Sequence, residues 1–317
     1  VAPFVQDIHY LTPEMIEHIS LIELETNQVF DPSYPVWHLY GSQYTHLSSN
    51  LLPESIEVSH DMEELGTHTE SFLLSDTNSQ LDVVEICGGE GGVLQIAVRK
   101  QMRTGKNFDL RTGIDLTNKS EVDKLWQYLA KYKPRVVVGA PPCTAFGQWT
   151  HINKHRAPAA WQLALSVGLP LANLMARIAL WQLDQGRDFI VENPQSSALW
   201  NLDRWQKVLR HPQVVWAVCH QCMVGLKDPN GKPYYKPTLF VASQDCLVRR
   251  LRLKCDHNHE HQQLEGSTHG RRRTQWAQIW PRKLCQLIIA GIEDAIKHQR
   301  VKAYLAERNQ ASYPVEK

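Results

Sequence analysis

The chain has 317 residues, of which 43% are apolar, enough for the core of one large domain or two smaller ones. A formal net charge of +1 excludes a chain that is basic throughout, so contact with nucleic acid must depend on local clusters of Arg and Lys. Seven scattered cysteines exclude a disulfide-dense secreted scaffold and predict an intracellular protein, nuclear or cytoplasmic and not secreted. No apolar run reaches the ~20 residues of a membrane helix, so we expect no membrane partner.

The first 79 residues differ in composition from the rest of the chain. They are rich in Ser, Thr, Glu and His, and a polar run at 75–79 closes them. We interpret residues 1–79 as an N-terminal extension that packs in part on the core. No motif in this extension indicates a function.

A glycine-rich loop follows the first predicted strand of the core. Residues 81–92 are Leu-Asp-Val-Val-Glu-Ile-Cys-Gly-Gly-Glu-Gly-Gly, and a helix is predicted at 93–103. A strand, a glycine turn and a helix open many nucleotide-binding α/β sheets, because glycine lets the backbone approach a ligand closely. A tight turn with a purely structural role is the alternative interpretation of the same residues.

Another transition from strand to loop carries a cysteine. Val136, Val137 and Val138 predict a buried strand, and the Gly-Ala-Pro-Pro that follows ends it, because proline donates no ladder hydrogen bond. Cys143 is therefore expected on a stiff loop at the carboxyl edge of the sheet, where open α/β sheets bind ligands. An inert buried thiol is the alternative. The flanking Pro-Pro and Thr-Ala-Phe-Gly favour a nucleophile.

A carboxyl side chain ends a later predicted strand. After a long helical region at 157–186, the apolar residues 189–191 predict a strand that continues into Glu192 and Asn193. We therefore expect Glu192 at the same edge of the sheet as Cys143. A cysteine nucleophile beside a carboxylic acid suits covalent addition to an electron-poor ring.

The Pro-Cys143 and Glu192-Asn pairs, in this order and each after a strand, resemble the nucleophile and acid loops of the C5-cytosine DNA methyltransferases. The resemblance covers about 81–243, with a weaker match at 271–298, and extends to divergent domains of viral or retroelement polyproteins. It implies an α/β fold, a Rossmann-like S-adenosylmethionine methyltransferase sheet with helices on both faces. A small Cys/His-rich subdomain and the N-terminal extension would be additions to that fold.

The resemblance also implies a set of cofactor-binding residues. The glycine loop is similar to the family's Phe-x-Gly-x-Gly-Gly loop for S-adenosylmethionine, with Cys87 at the Phe position and Glu85 near the methionine end. Asp109, after the second strand, is expected at the ribose hydroxyls and Asp115, after the third, at the adenine amine. A cap or turn role is the alternative for either acid. The expected cofactor site comprises Glu85, Cys87, Gly88, Gly89, Gly91, Gly92, Asp109, Asp115 and Pro141.

The reaction that the resemblance implies is covalent. The Cys143 thiolate attacks C6 of a cytosine flipped out of the base stack, protonated Glu192 hydrogen-bonds N3, and C5 receives the methyl group. The predicted hairpin at 214–243 departs from the family, because Lys236 and Thr238 stand where the family has two arginines that hold the base and the acid. Lysine keeps the charge without the planar fork of arginine, and threonine keeps only a hydroxyl. Lys236 and Thr238 complete the expected catalytic set.

A stretch rich in Cys and His indicates a metal site. The pair Cys219 and Cys222 has zinc-ligand spacing, and residues 255–261 are Cys-Asp-His-Asn-His-Glu-His. The alternatives are a cysteine that ends a buried strand, a merely polar histidine loop, and a histidine that contacts phosphate or base. The expected structural zinc site consists of Cys219, Cys222, Cys255 and one of His257, His259 and His261, with His259 chosen as the fourth ligand.

The predicted organisation has four parts: an extension at 1–79, a catalytic core at 80–245, a small basic Cys/His-rich insert at 246–275 that recognises the target or binds zinc, and a C-terminal helix at 276–317. The predicted function is C5 methylation of cytosine in nucleic acid, with DNA favoured over RNA as the partner. A methyltransferase-like scaffold that binds nucleic acid without chemistry is one alternative. An enzyme that acts on RNA or free nucleotides is another.

Overall fold

The structure is a computed structural model that describes residues 80–148 and 150–311, so the predicted extension at 1–79 lies outside the described residues. Within them, six strands form one sheet: β1 (Val83–Ile86), β2 (Thr104–Phe108), β3 (Val136–Gly139), β4 (Asp188–Pro194), β5 (Val215–His220) and β6 (Pro237–Ala242). Their order is β2-β1-β3-β4-β6-β5. Strands β1 to β4 pair in parallel, and β6 runs antiparallel to both of its neighbours.

Helices pack on both faces of this sheet. The helices are α1 (Gly92–Arg99), α2 (Lys119–Tyr132), α3 (Thr150–Arg156), α4 (Pro158–Asp184), α5 (Asp203–Leu209), α6 (Asp245–Val248), α7 (Arg273–Trp276) and α8 (Arg282–Ala311), and two short strands, β7 (Ser267–Thr268) and β8 (Arg271–Arg272), form a separate pair. Side chains of α2, α4 and α5 belong to one core cluster, and side chains of α1, α6 and α8 belong to a second. This mixed α/β architecture is consistent with the predicted Rossmann-like methyltransferase fold.

The central strands are buried on both sides because their residues are apolar and mostly β-branched. In β3, Val137 points into the cluster that contains α4, whereas Val136 and Val138 point into the cluster that contains α8. In β1, Val84 and Val83 divide between the two clusters in the same way. The alternation follows from the two-residue period of a strand, and it leaves the loops after the strands free to form a site at one edge.

Helix α4 contributes more buried residues to one of these clusters than any other element does. It has 27 residues, and the best window has a mean hydropathy of 1.7, so by length and composition it could cross a membrane. This differs from the expectation that no apolar run is long enough. Of that window, 56% is buried inside the protein, which is what the core helix of a globular domain shows as well, and the finding is therefore weak support for a membrane span.

The predicted insert at 246–275 divides into two parts in the structure. Helix α6 and the turn Arg249–Leu251 pack against α8, and Leu247, Val248 and Leu251 are buried in the core. The predicted boundary at 246 therefore falls inside the core, because the apolar side chains of this stretch belong to the cluster that packs against α8.

The rest of the predicted insert forms a small subdomain with the loop that joins β5 to β6. Tyr234 pairs with Gln262 in an isolated bridge, and the Gln262 N–H donates to the carbonyl of Pro233 at 2.8 Å. Leu226, Tyr234 and Ala277 form its apolar cluster. This subdomain lies next to the turn that follows β5, and it contains the Cys/His-rich stretch.

Substitution of Gly291 should show how closely α8 approaches α6. A Cβ at this position would lie 2.9 Å from the carbonyl oxygens of Cys246 and Leu247, which are backbone atoms and move little. We expect Gly291→Ala to lower the free energy of unfolding by roughly 2 kcal/mol, although alanine favours a helix over glycine by about 1 kcal/mol. Urea denaturation measures the change.

Gly168 of α4 provides the matched control for this substitution. There a Cβ would lie 3.3 Å from Cε2 of Phe146, the end of a side chain that can adjust, so Gly168→Ala should be close to neutral. A Gly291→Ala protein as stable as the wild type would contradict the close contact between α6 and α8.

Candidate active site

A cavity of about 330 Å³ lies at the carboxyl edge of the sheet, where the loops after β1, β2 and β3 meet Glu192 of β4. Open α/β sheets bind ligands at this edge. Most of the expected site residues line it, namely Cys87, Gly88, Gly89, Gly92, Asp109, Asp115, Pro141, Cys143, Glu192 and Lys236. Glu85, Gly91 and Thr238 do not line it.

The loop after β1 has a backbone that requires glycine. Gly89 and Gly91 have φ values of +57° and +68°, in the left-handed region that glycine adopts without strain. A Cβ at position 88 would lie 2.3 Å from Cγ of Glu85, so only glycine fits there as well. Cys87 occupies the same region with a φ of +55°, although it carries a side chain. The loop therefore exposes backbone, rather than side chains, to the cavity.

Two side chains at the end of β2 hold this loop in place. The Gly89 N–H donates to Oδ2 of Asp109 at 2.9 Å, and the Asn107 side-chain amide donates to the Gly89 carbonyl at 2.9 Å. Oδ1 of Asp109 accepts from the N–H of Arg111 at 2.9 Å. Burial raises the pKa of Asp109, and the backbone N–H donors oppose that rise. Asp109 thus lines the cavity, as predicted, and also caps the turn that follows β2, which was the alternative role predicted for it.

Glu85 lies below the glycine loop instead of lining the cavity. Its side chain is 1% exposed, and Oε2 accepts from the N–H of Leu94 at 3.2 Å, at the start of α1. Burial raises the pKa of Glu85 to about 8, against the opposing effect of the Leu94 and Val93 N–H groups. The carboxyl is therefore neutral at neutral pH, and it supports the loop from within the protein.

The placement of Asp115 differs from its expectation. No strand lies between β2 and β3 in the described residues, so the third parallel strand is the one that carries Cys143, and Asp115 precedes α2. Oδ1 of Asp115 accepts from the N–H and the hydroxyl of Thr117, at 2.9 and 2.7 Å, which is a turn role. Asp115 still lines the cavity, on the side of Asp109.

The loop that carries Cys143 is held from both sides. The Ala140 N–H donates to the carbonyl of Ile86 at 3.1 Å, which continues the pairing of β3 with β1 beyond the strand. The side-chain amide of Asn193, which is fully buried, donates to the Pro141 carbonyl at 2.8 Å. The Phe146 N–H donates to the Cys143 carbonyl at 2.9 Å and closes a turn. The thiol is therefore positioned by the backbone of the loop and by the strand that carries the acid.

Glu192 and Lys236 form a nearly buried ion pair beside this thiol. Glu192 is 6% exposed and lies opposite Phe240 in the pairing of β4 with β6. Nζ of Lys236 lies 3.6 Å from Oε1 of Glu192 and donates to the Ala277 carbonyl at 3.0 Å. Burial raises the pKa of Cys143, the positive charge of Lys236 lowers it, and the negative charge of Glu192 raises it further. The Cys143 thiol and the two charged groups are thus near enough to act on one another in one cavity.

Thr238 occupies a different place from the one predicted. It is fully buried and absent from the cavity lining, and its hydroxyl accepts from the side-chain amide of Gln221 at 2.8 Å. The same amide donates to Oε1 of Glu192 at 3.5 Å. Gln221, which the sequence reading missed, therefore links Thr238 to the acid. The only signal for it was its position beside Cys222, at the end of a predicted strand.

The Cys/His-rich stretch brings four possible metal ligands together, with one change from the predicted set. The ligand atoms of Cys222, Cys255, His259 and His261 all lie within 4.8 Å of one another. Cys219 is not among them. It is fully buried in the core cluster of β5, on the same side of the strand as Ala217, because alternate residues of a strand face the same side. His261 takes the place predicted for Cys219.

Comparison with known proteins gives little further information. No family model and no curated protein matches the chain. A solved structure, the Entamoeba histolytica methyltransferase EhMeth, is similar at 15% identity with a TM-score of 0.31, and the match covers 60% of this chain and 58% of that one. The chain thus matches less than two thirds of the length of that protein. The function is therefore inferred from the residues of the cavity.

Replacing Glu85 should change how stability depends on pH. The carboxyl ionises near its ordinary value of 4.5 in the unfolded chain and at about 8 in the folded protein, so folding favours the protonated form. Stability from this group is complete below the lower value and falls as pH rises towards the higher one. Glu85→Gln cannot ionise, so the variant does not lose stability in this way. The free energy of unfolding of Glu85→Gln relative to that of the wild type should therefore increase between about pH 5 and about pH 8, by on the order of a few kcal/mol.

Calorimetric melting at the two pH values measures this difference. Glu265→Gln, on an exposed side chain, is the matched control and should show the same difference from the wild type at both values. If the stability difference between Glu85→Gln and the wild type is also the same at both pH values, the conclusion that Glu85 is buried as a neutral carboxyl is refuted.

The charges beside Cys143 should move its reactivity in opposite directions. Lys236 lowers the pKa of the thiol and Glu192 raises it, and alkylation proceeds through the thiolate. At a fixed pH near neutrality, Lys236→Gln should slow the reaction of Cys143 with iodoacetamide and Glu192→Gln should accelerate it, each by roughly 3- to 10-fold. Mass spectrometry of the peptide that contains Cys143 follows the reaction in time.

The protein with both substitutions is the control for packing effects. Because it removes both charges, its alkylation rate should lie between those of the single variants. Identical rates in all four proteins would show that neither charge acts on the thiol.

Proposed function

We propose that this chain is an S-adenosylmethionine-dependent methyltransferase that acts on C5 of cytosine in nucleic acid, with Cys143 as nucleophile and Glu192 as acid. The observation that carries the proposal is the single cavity that joins the glycine loop and Asp109 to Cys143, Glu192 and Lys236. We call the side with the glycine loop and Asp109 the first end of the cavity, and the side with Cys143, Glu192 and Lys236 the second end. A methyl donor bound at the first end would then lie next to an aromatic ring bound at the second end.

The residues at the first end fit the cofactor. The loop at 88–92 offers backbone without obstructing side chains at Gly88 and Gly89, which suits the close approach of a nucleoside. Each carboxylate oxygen of Asp109 accepts one backbone N–H and has a further lone pair for a ribose hydroxyl. When bound, S-adenosylmethionine supplies an electrophilic methyl group. The proposal assigns its ribose to Asp109 and its adenine to the side of the cavity lined by Asp115.

The residues at the second end suit covalent activation of a pyrimidine. The sulfur of Cys143 forms a bond to C6, and the electron pair of the C5–C6 double bond moves towards N3 and C5, where Glu192 stabilises the charge by donating a hydrogen bond to N3. C5 would then bond to the methyl carbon of the bound donor, whose bond to the sulfonium sulfur would break and leave S-adenosylhomocysteine. A base then takes the proton from C5, the C5–C6 double bond is restored, and the bond between C6 and the sulfur of Cys143 breaks.

Lys236 sets a condition on this mechanism. Its ammonium group lies 3.6 Å from Oε1 of Glu192. Because the hydrogen bond to N3 needs a proton on Glu192, the proposal requires the contact between Lys236 and Glu192 to rearrange when the base displaces water from the cavity. Lys236 would then direct an N–H donor at the base, in place of the first of the two arginines that hold the base in the family that the sequence resembles.

Basic side chains near the cavity support nucleic acid as the substrate class. Lys154, His155 and Arg156 are exposed on α3, the helix that follows the Cys143 loop. Arg271 and Arg282 line the cavity itself. Cations at these places can contact phosphates on either side of an extruded base, and we favour DNA over RNA as the partner.

A DNA strand that contains 5-fluorocytosine tests the covalent step. Fluorine at C5 does not leave as a cation, so the adduct between the strand and Cys143 should persist after the methyl group is added. We expect a cross-linked species that depends on S-adenosylmethionine and is absent in Cys143→Ala, and denaturing electrophoresis with mass spectrometry detects it. Ordinary DNA, RNA and dCTP with labelled cofactor distinguish the substrate classes.

Cys246→Ala is the matched control, because Cys246 is a buried thiol outside the cavity lining. That variant should form the adduct as the wild type does. Methyl transfer to cytosine at the full rate by Cys143→Ala would falsify the covalent mechanism.

A scaffold that binds nucleic acid without chemistry is the second candidate. It is favoured by the burial of Thr238 outside the cavity and by the absence of the planar arginine fork at Lys236. Titration calorimetry with S-adenosylhomocysteine separates the two candidates. Binding of nucleic acid with no binding of this cofactor product would favour the scaffold.

A further inference from the structure

Two thiols and two imidazoles converge outside the lining of the cavity. Cys222 lies on the turn after β5, and Cys255, His259 and His261 lie on the segment that follows the core turn at Arg249–Leu251. None of the four lines the candidate active site. Thiolate and imidazole are the ligands that Zn²⁺ prefers in closed, four-coordinate structural sites.

Two of the distances between these groups match those of a tetrahedral site. Sγ of Cys255 lies 3.7 Å from Nε2 of His259 and 3.5 Å from Nε2 of His261. A zinc ion with bonds of about 2.3 Å to sulfur and about 2.0 Å to nitrogen places its ligand atoms about 3.3–3.8 Å apart. A thiol–imidazole hydrogen bond explains one such contact. It does not explain why two imidazoles and a second thiol surround the same sulfur.

The surroundings of Cys255 suit a thiolate bound to a cation. The backbone N–H of His257 donates to its sulfur at 3.2 Å, and its own N–H donates to Nδ1 of His220 at 3.0 Å. The ring of Tyr235 contacts His261 at a centroid distance of 5.1 Å, which orients that imidazole. Contacts of this kind fix the ligands around a metal and are typical of a built site.

The segment that supplies three of the ligands has little else to fix it. From 252 to 266 it forms no helix and no extended strand beyond the isolated bridge at Gln262. The apolar cluster beside it contains three buried residues, Leu226, Tyr234 and Ala277, a small core for a subdomain. Small units of this kind commonly obtain their stability from a metal ion.

From this geometry we propose that Cys222, Cys255, His259 and His261 bind a structural Zn²⁺ ion that fastens the 255–261 segment to the turn after β5. The ion would also restrain Gln221, the neighbour of Cys222, whose amide contacts Glu192 at 3.5 Å. Metal binding does not depend on the proposed methyl transfer, so the failure of either experiment leaves the other result intact.

Metal analysis of the full chain tests the proposal. Protein purified without a metal-affinity step and dialysed against metal-free buffer should contain about one zinc ion per chain, as measured by inductively coupled plasma mass spectrometry. Cobalt exchanged for zinc should give the visible bands of a tetrahedral ion with thiolate charge transfer. Absence of zinc from the purified protein, together with absence of a cobalt spectrum on reconstitution, overturns the proposal.

Single substitutions test which residues are the ligands. Cys255→Ser and His261→Ala should lower the zinc content below about 0.2 per chain. Cys219→Ala and His257→Ala are the matched controls, one for the Cys-x-x-Cys spacing and one for the histidine loop, and both should keep the ion. Retention of zinc by His261→Ala with loss in Cys219→Ala overturns the ligand set.

A measurement on the unaltered protein covers the case in which a ligand variant does not fold. Titration with a mercurial that captures thiolates should release zinc to a chromogenic chelator in proportion to the sites modified, and a strong chelator should lower the melting temperature. If the chelator removes the ion with no change in melting temperature, the structural role is refuted.

Discussion

The site depends on the in-register pairing of three buried parallel strands. Ile86 of β1 lies beside Gly139 of β3, which lies beside Val191 of β4, so β1 and β3 end at one level and Glu192 of β4 comes directly after it. The glycine loop, the Cys143 loop and Glu192 therefore start from a common edge. A shift of one residue in any strand would exchange its side chains between the two buried clusters and would move the loop that follows, so the packing that stabilises the sheet also aligns the functional groups. The amide of Asn193 then ties β4 to the Cys143 loop directly.

The electrostatics of the cavity come from burial acting on a few charges. The thiol of Cys143 is disfavoured as thiolate by burial and favoured by Lys236, while Lys236 is itself paired with Glu192. A ligand that enters between Cys143, Lys236 and Glu192 would change the surroundings of all three side chains at once, because it removes water and offers new hydrogen-bond partners. Glu85, neutral below the glycine loop, adds no negative charge at neutral pH to the region that Asp109 already occupies.

Strand-to-loop transitions were readable from the sequence, and side-chain partners across the fold were not. Runs of β-branched residues ended by glycine or proline located the Cys143 loop correctly, since these residues have fixed backbone preferences. The zinc-like spacing of Cys219 and Cys222 was misleading, because the alternation of β5 buries one of the two. The strand expected between β2 and β3 is absent from the described residues, so Asp115 lies in the turn before α2 and still lines the cavity. Gln221 belongs to no motif, and its role depends on the neighbouring strand β6.

Because no strand lies outside β2 in the described residues, β2 is an edge of the sheet. An uncovered edge exposes backbone donors and acceptors that can pair with another chain and lead to aggregation. Here the N–H of Lys106 donates to the hydroxyl of Tyr128 on α2 at 3.2 Å, and the Lys106 side chain is exposed. A capped donor and a surface charge on a five-residue strand discourage intermolecular pairing at this margin. The sheet can thus end at β2 without offering an edge that pairs readily with a strand of another molecule.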